Sequence, residues 1–187
     1  MDLSLANKEY YDDLPNLNLE FPNLPYLIDG DFSMTECVPI MRYLCRKYKP
    51  EMLGDSIEEQ STVDMLANVA YIAYWDVIMI VYEKEDSVQE FLDVSYKRLK
   101  TVSEFVKDKK FLLGDKYTYV DIILYEHINA IKAFERDLKD EKFADVYPSL
   151  ENLHQNVHNI KQIKEFVEGD RWKKLYFFNK YYPNNTI

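Results

Sequence analysis

The stretch from Phe21 to Tyr48 constrains this chain more than any other, because a strand, a tight turn, a second strand and a helix follow with almost no linker. Leu24 to Ile28 is an apolar run preceded by Pro22, Asp29-Gly30 is a hairpin turn pair, and Phe32 to Met34 makes a short return strand. An amphipathic helix then begins near Cys37. Pro39 fits its first turn, where a missing backbone donor costs nothing, and Ile40, Tyr43, Leu44 and Tyr48 recur at helical spacing. The block predicts a hairpin that feeds directly into a helix.

After a hinge at residues 50–55, the chain reads as consecutive helices. Ser56 caps the first, Glu58 and Glu59 complement its dipole, and Leu66, Val69, Ala70, Ala73, Val77 and Ile80 form the inward face up to Tyr82. A second helix runs from about Ser87 to Lys107, with Val88, Phe91, Leu92, Leu99, Val102 and Val106 buried. In FLLGDKYTYVDI, Gly114-Asp115 makes a turn, Thr118 caps a third helix, Asp121 takes the reciprocal capping-box position, and Tyr117 and Ile122 bracket them as a hydrophobic staple. Pro148 near a helix start and Gly169 as a C-terminal cap frame the last helices. The fold class expected is α+β tending to mostly α, with a domain at 1–50 and an all-helical one at 55–187.

Residues 21–48, the string FLLGDKYTYVDI, the run from Phe143 to Asp170 and the aromatic tail RWKKLYFFNKYYPNNTI together resemble the glutathione transferases, nearest the mu class. The resemblance covers nearly everything from Tyr10 onward. It implies a partial thioredoxin-like hairpin-plus-helix domain that binds glutathione, followed by the family's helical domain. Pro25 matches the family's cis-proline, which turns the backbone so that Leu24 offers its N–H and C=O to the cysteinyl part of the tripeptide, with Asn23 beside it. Glu36 and Cys37 match a Gln/Glu-Ser pair at a helix start that grips the γ-glutamyl end. The first-turn N–H groups and dipole suit a carboxylate, and an acidic side chain suits the ammonium. Cysteine in place of serine leaves two readings open: a weakly donating stand-in, or a thiol of lowered pKa able to exchange disulfides with the bound ligand.

The same resemblance puts Tyr10 where mu-class proteins have a glutathione-contacting tryptophan, and Leu14 where they have a lysine. Tyr82 aligns with a tyrosine facing the electrophilic second substrate, where a phenol can stabilise developing oxyanion charge. Ile72 replaces an acid that reaches the partner subunit's glutathione, with Asp76 one turn away. Thr118 and Asp121 match the family's buried capping box, whose role is structural. The family's first strand, first helix and second strand should precede the hairpin, and its catalytic hydroxyl lies just after the first strand. A βαβ unit needs about 30 residues, and the 20 residues ahead of Phe21 carry no apolar strand run. A true start and a missing upstream segment both stay open, and no residue of this chain is assigned the catalytic role. Without the first strand, Leu24 to Ile28 exposes an apolar edge that invites pairing or aggregation.

Composition narrows the remaining classes. With 187 residues, 47% of them hydrophobic, the chain can bury a substantial core. No apolar stretch approaches 18 residues and no basic-then-apolar leader opens it, so the expected setting is cytoplasmic and away from membranes. A net charge of −10 argues against nucleic acid, whose phosphates require clustered Lys and Arg. Cys37 and Cys45 sit eight apart on one helix, about 12 Å by helical rise and too far to bridge. His154 and His158 lack a third ligand and read as a solvated helix face, and the acidic runs lack the spacing of a calcium loop, so no metal is expected. Two functions are weighed. One is a homodimeric transferase joining reduced glutathione, its co-substrate, to a small electrophile without a further cofactor. The other is a non-catalytic binding or scaffold protein on the same fold, with a helical interaction module of larger assemblies as a third reading.

Overall fold

The computed structural model describes residues 19–83 and 88–169, and the side chains of all of these except 76–83. The expectations for Tyr10, Leu14, Asp76, Val77, Ile80, Tyr82, the acidic run at 84–86 and the tail from Arg171 fall outside the described residues. The chain divides into two compact units, residues 1–53 and 54–187.

Among its described residues, the first unit has a two-stranded antiparallel sheet packed with one α-helix. Strands β1 (Tyr26–Asp29) and β2 (Phe32–Thr35) pair Tyr26 with Thr35 and Asp29 with Phe32. The expected boundaries shift. β1 starts two residues later than the apolar run, because Pro25 has no N–H for the ladder and the Leu24 N–H goes to the Asn23 side chain. Since Asp29 is paired, the two-residue loop is Gly30-Asp31, one step beyond the expected pair. Gly30 takes φ 62° at its first position, the left-handed geometry that matches strand twist. Helix α1 (Cys37–Tyr48) follows and touches both strands and the 3-10 turn Pro50–Leu53. Its buried residue is Cys45; Leu44 and Tyr48, expected inside, are exposed. Tyr26, Ile28 and Phe32 are also exposed, so the hairpin carries apolar side chains at its surface.

The described elements of the second unit are helices, α2 (Ile57–Glu83), α3 (Val88–Val106), α4 (Tyr119–Leu138), the short α5 (Phe143–Val146), α6 (Pro148–His158) and α7 (Lys161–Val167), with two isolated β-bridges between α3 and α4. Ser56 Oγ accepts the Glu59 N–H at 3.1 Å and starts α2. Gly54 just before it has φ 99°, and a Cβ there would fall 2.8 Å from Glu59 Cβ, so the close approach requires glycine. Helix α4 is the core: it meets α2, α3 and α6, and Val120, Leu124, Ile128, Ile131 and Phe134 are fully buried. Around it lie Phe91, Leu92 and Leu99 of α3 and Leu150, Leu153 and Val157 of α6.

Two inward faces differ from the periodicity. Among the described side chains of α2, Val63, Leu66, Ala67, Ala70 and Ala73 are buried, while Val69 is exposed with Met65, Ile72 and Trp75 in a stripe. Apolar residues lie on two sides of this helix, so spacing alone could not say which side faces α4. On α3, Val88 is half-buried and Ser95 takes a core position against His127. Pro148 occupies the first turn of α6 as expected. Gly169 follows α7, its N–H bonding to Phe166 O at 3.1 Å, without a left-handed φ. Among the described residues, no helix is long and apolar enough to cross a membrane.

Candidate functional site

The residues ahead of β1 and the head of α1 come together through one side chain. Asn23 Oδ1 accepts the Leu24 N–H at 2.9 Å, and Asn23 Nδ2 donates to Glu36 Oε1 at 2.9 Å. The Leu24–Pro25 bond is cis. Asn23, Leu24, Pro25 and Glu36 are all exposed, and Cys37 is half-buried as the first helical residue. Glu36 sits at the N-cap position with φ 77° and makes no side-chain cap bond. A non-glycine residue in that region is strained, and its carboxylate, instead of capping the helix, accepts from Asn23 Nδ2. Its carbonyl stays with the helix, accepting the Ile40 N–H at 3.0 Å. An exposed carboxylate beside first-turn donors can hold an ammonium and a carboxylate side by side.

A cleft of about 970 Å³ opens along β2, lined by Leu19 to Phe21 and Asp31 to Glu36. Of the site residues expected from sequence, Glu36 is the one on its wall. Cys37 and Cys45 form no disulfide. Burial, with the Glu51 charge second, pushes the Cys45 thiol up and keeps it unreactive.

A cluster the sequence reading missed ties the hairpin to α1. Asp29 Oδ2 accepts from Tyr43 Oη at 2.7 Å and pairs with Lys47. Those hydrogen bonds, Lys47's first, hold the Asp29 carboxyl below its usual range, and Asp29 in turn raises the Lys47 ammonium. Tyr43 and Lys47 are four apart on α1, so one turn of helix faces the end of β1. The signal in sequence was that spacing; its partner across the hairpin was not legible.

In the helical unit, the capping box forms with both reciprocal bonds. Asp121 Oδ2 accepts the Thr118 N–H at 2.7 Å and the Thr118 hydroxyl at 2.9 Å, and Oδ1 accepts the Leu112 N–H at 2.8 Å. Asp121 is fully buried, and desolvation pushes its carboxyl up against the pull of those donors. Glu135, also buried and not singled out from sequence, accepts the Lys142 and Phe143 N–H groups at 3.3 and 3.2 Å and the Tyr96 hydroxyl, anchoring α5 to α4.

The histidines correct the solvated-face expectation. His154 is buried, its Nε2 2.7 Å from Asn129 Oδ1 and its ring stacked 4.7 Å from Tyr125; His158 Nδ1 lies 3.0 Å from Tyr125 Oη. Among the described residues no three His, Cys, Asp or Glu side chains are grouped to hold a metal. These polar groups of the helical unit serve packing and capping.

Residues 74–170 match the family model described as "Glutathione S-transferase, C-terminal domain". Glutathione S-transferase Mu 1 of Rattus norvegicus is 33% identical over 166 residues, which is 88% of this chain and 73% of that protein. Glutathione S-transferase Mu 5 of Homo sapiens is 30% identical over the same shares. Among solved structures, the glutathione S-transferase Blo t 8 superposes with a TM-score of 0.79 at 24% identity, over 94% of this chain and 81% of that one. The pi-class enzyme of Onchocerca volvulus gives 0.73 at 22%, over 92% and 81%. These two speak for the fold, and the mu-class relatives for kinship: the chain belongs to the glutathione S-transferase family.

Proposed function

We propose that this chain binds reduced glutathione at the hairpin and the head of α1, and joins its sulfur to an electrophilic small molecule. The observation that carries the reading is the pairing of a mu-class relationship with the Leu24–Pro25 cis bend and an exposed Glu36 at the N-terminus of α1. Leu24 and Pro25 take the cysteinyl segment, Glu36 the γ-glutamyl ammonium, and the first-turn N–H groups at Cys37 its carboxylate. Asn23 and Tyr10 on the glutathione side and Tyr82 on the electrophile side are the further contacts that kinship implies. In the reaction the thiol loses its proton, the thiolate forms a bond to the electrophilic carbon, and a leaving group departs with its electron pair or a π bond opens. The ionising hydroxyl of the family lies ahead of the hairpin, and no side chain of this chain is assigned that role. Glutathione is the co-substrate, no cofactor enters the scheme, and a cytoplasmic setting goes with it.

The test is titration calorimetry with reduced glutathione, followed by a chromogenic conjugation assay. Glu36→Ala should weaken binding about five- to tenfold, the worth of one charge-assisted hydrogen bond at an exposed site. An undiminished affinity in Glu36→Ala would remove the hairpin from the reading.

The partner in a homodimer is a second copy. The stripe of Met65, Val69, Ile72 and Trp75 on α2 supports this, being apolar and exposed over three helical turns. Val69→Lys places a charge in its middle and should convert a dimer to monomer in sedimentation equilibrium. A variant sedimenting as the parent does would exclude the stripe as the interface.

A further inference from the structure

Helix α4 is the core of the helical unit, yet one of its faces carries a carboxyl for which the proposed function has no use. Ile122, Tyr125 and Glu126 stand three and four positions apart and share that face. Opposite them, Gln162, Ile163, Phe166 and Val167 of α7 complete a groove of about 390 Å³. Small-molecule sites run to roughly 300–1,000 Å³, with apolar walls and a few polar groups, and this groove has the same make-up. Glu126 is half-buried in it, and among the described residues it has neither a hydrogen bond nor an ion pair. The polar and charged groups nearby are committed elsewhere. The Tyr125 hydroxyl lies 3.0 Å from His158 Nδ1, and on α7 Lys161 pairs with Glu165 and Lys164 with Glu168, each at 3.9 Å. Burial raises the Glu126 carboxyl to about 7. A carboxyl in apolar surroundings without a partner is one that a cation would stabilise.

We infer that the groove between α4 and α7 is a binding site for a small amphiphilic amine, with the ammonium on the Glu126 carboxylate and the hydrocarbon against Ile122, Ile163, Phe166 and Val167. Charge selects the class. A carboxylate or phosphate ligand would meet Glu126 as a like charge, and a plain hydrocarbon would leave the carboxyl uncompensated. An alcohol of the same length keeps the apolar contacts and gives up the charge-assisted hydrogen bond. Gln162 and Phe166 are exposed, so the groove is reached from solvent on the α7 side. All of its residues belong to the helical unit, so the assignment does not depend on glutathione binding at the hairpin.

The experiment is calorimetric titration of the full chain, Glu126→Gln and Phe166→Ala with octylamine and with octanol, which share a hydrocarbon and differ in the head group. The parent should bind octylamine about tenfold more tightly than octanol. Glu126→Gln should erase that preference, weakening octylamine about tenfold and leaving octanol within about twofold. The variant should fold at least as well as the parent, because it removes a carboxyl that is costly to ionise. Phe166→Ala, at an exposed position, should weaken both probes about threefold through lost apolar contact. At pH 7, in buffers of different protonation enthalpy, octylamine should release protons from the parent as Glu126 ionises and none from Glu126→Gln, a difference that a merely structural Glu126 would not produce. Octylamine affinity unchanged by Glu126→Gln, equal affinities of the parent for the two probes, or binding of neither would overturn the assignment. Octylamine that binds only after Arg171, Lys173 and Lys174 are replaced by alanine would also overturn it, by putting the chain's own cations in the groove. Glutathione binding should be the same in the parent and Glu126→Gln, so the hairpin reading stands or falls separately.

Discussion

Replacing Asp121 by alanine is expected to cost about 3–5 kcal/mol of stability, the largest effect of any single change described for this chain. The carboxylate accepts three hydrogen bonds in a place water does not reach, from the Leu112 N–H, the Thr118 N–H and the Thr118 hydroxyl. Truncation leaves two backbone donors buried without acceptors, at about 1–3 kcal/mol each, and removes half of a capping box. Because the box starts α4, around which α2, α3 and α6 gather, the loss is felt through the whole helical unit. Thermal unfolding should show a drop of about 10 °C, since a chain of this size shifts by roughly 2–4 °C per kcal/mol. Asn in place of Asp keeps one acceptor and turns a donor toward other donors, so it should recover less than half. An alanine variant melting within 2 °C of the parent would mean that the box contributes little.

Mild acid should destabilise the protein through its buried histidines. Burial holds His127 near pKa 3, in its neutral form beside Ser95, and among the described residues its Nδ1 has no hydrogen-bond partner. Burial, with the Lys132 charge second, holds His154 near 4. Both folded-state values lie below the unfolded value of about 6.5, so the unfolded chain takes up protons first. The stability these residues contribute is present above about pH 6.5 and is lost as pH falls toward 4 and 3. At pH 5 the loss is about 2 kcal/mol for each, from one and a half units at 1.36 kcal/mol per unit. Glu126 has the opposite sign. Burial raises it to about 7, so its burial is unfavourable above that pH and the cost fades on acidification toward 4.5. The clean measurement is therefore a difference. Urea unfolding of the parent and of His127→Gln at pH 7.5 and pH 5 should show the variant's deficit narrowing by about 2 kcal/mol at the lower pH. Parallel pH dependences would show that His127 is not the group taking up the proton.

How much of this was readable beforehand varies with the range of the interaction. The capping box, the Ser56 cap, Pro148 in the first turn of α6 and the order hairpin, helix, helices were all legible, because each rests on residues within a few positions of one another. The turn was misplaced by one residue because Asp29-Gly30 and Gly30-Asp31 both suit a tight turn, and only pairing across the strands chooses between them. Val69 differs because α2 has apolar residues on two sides, and spacing along the helix does not say which side meets α4. The candidate site divides in the same way. Its residue types and the bend at Pro25 could be read from one short block, whereas the bond from Asn23 to Glu36 and the grip of Tyr43 and Lys47 on Asp29 span more than a dozen positions.

Sequence alone determined the elements, their order, the caps that start them and the kinship of the whole. Tertiary structure decided which side of α2 is buried, that His154 lies in the core, and that Glu135 ties α5 to α4. It also decided that the donor at Leu24 is already occupied. The physical reason is that propensity, turn chemistry and capping are set by neighbours a few residues away along the chain. Burial and long-range hydrogen bonds depend instead on surfaces that exist only after distant segments have met.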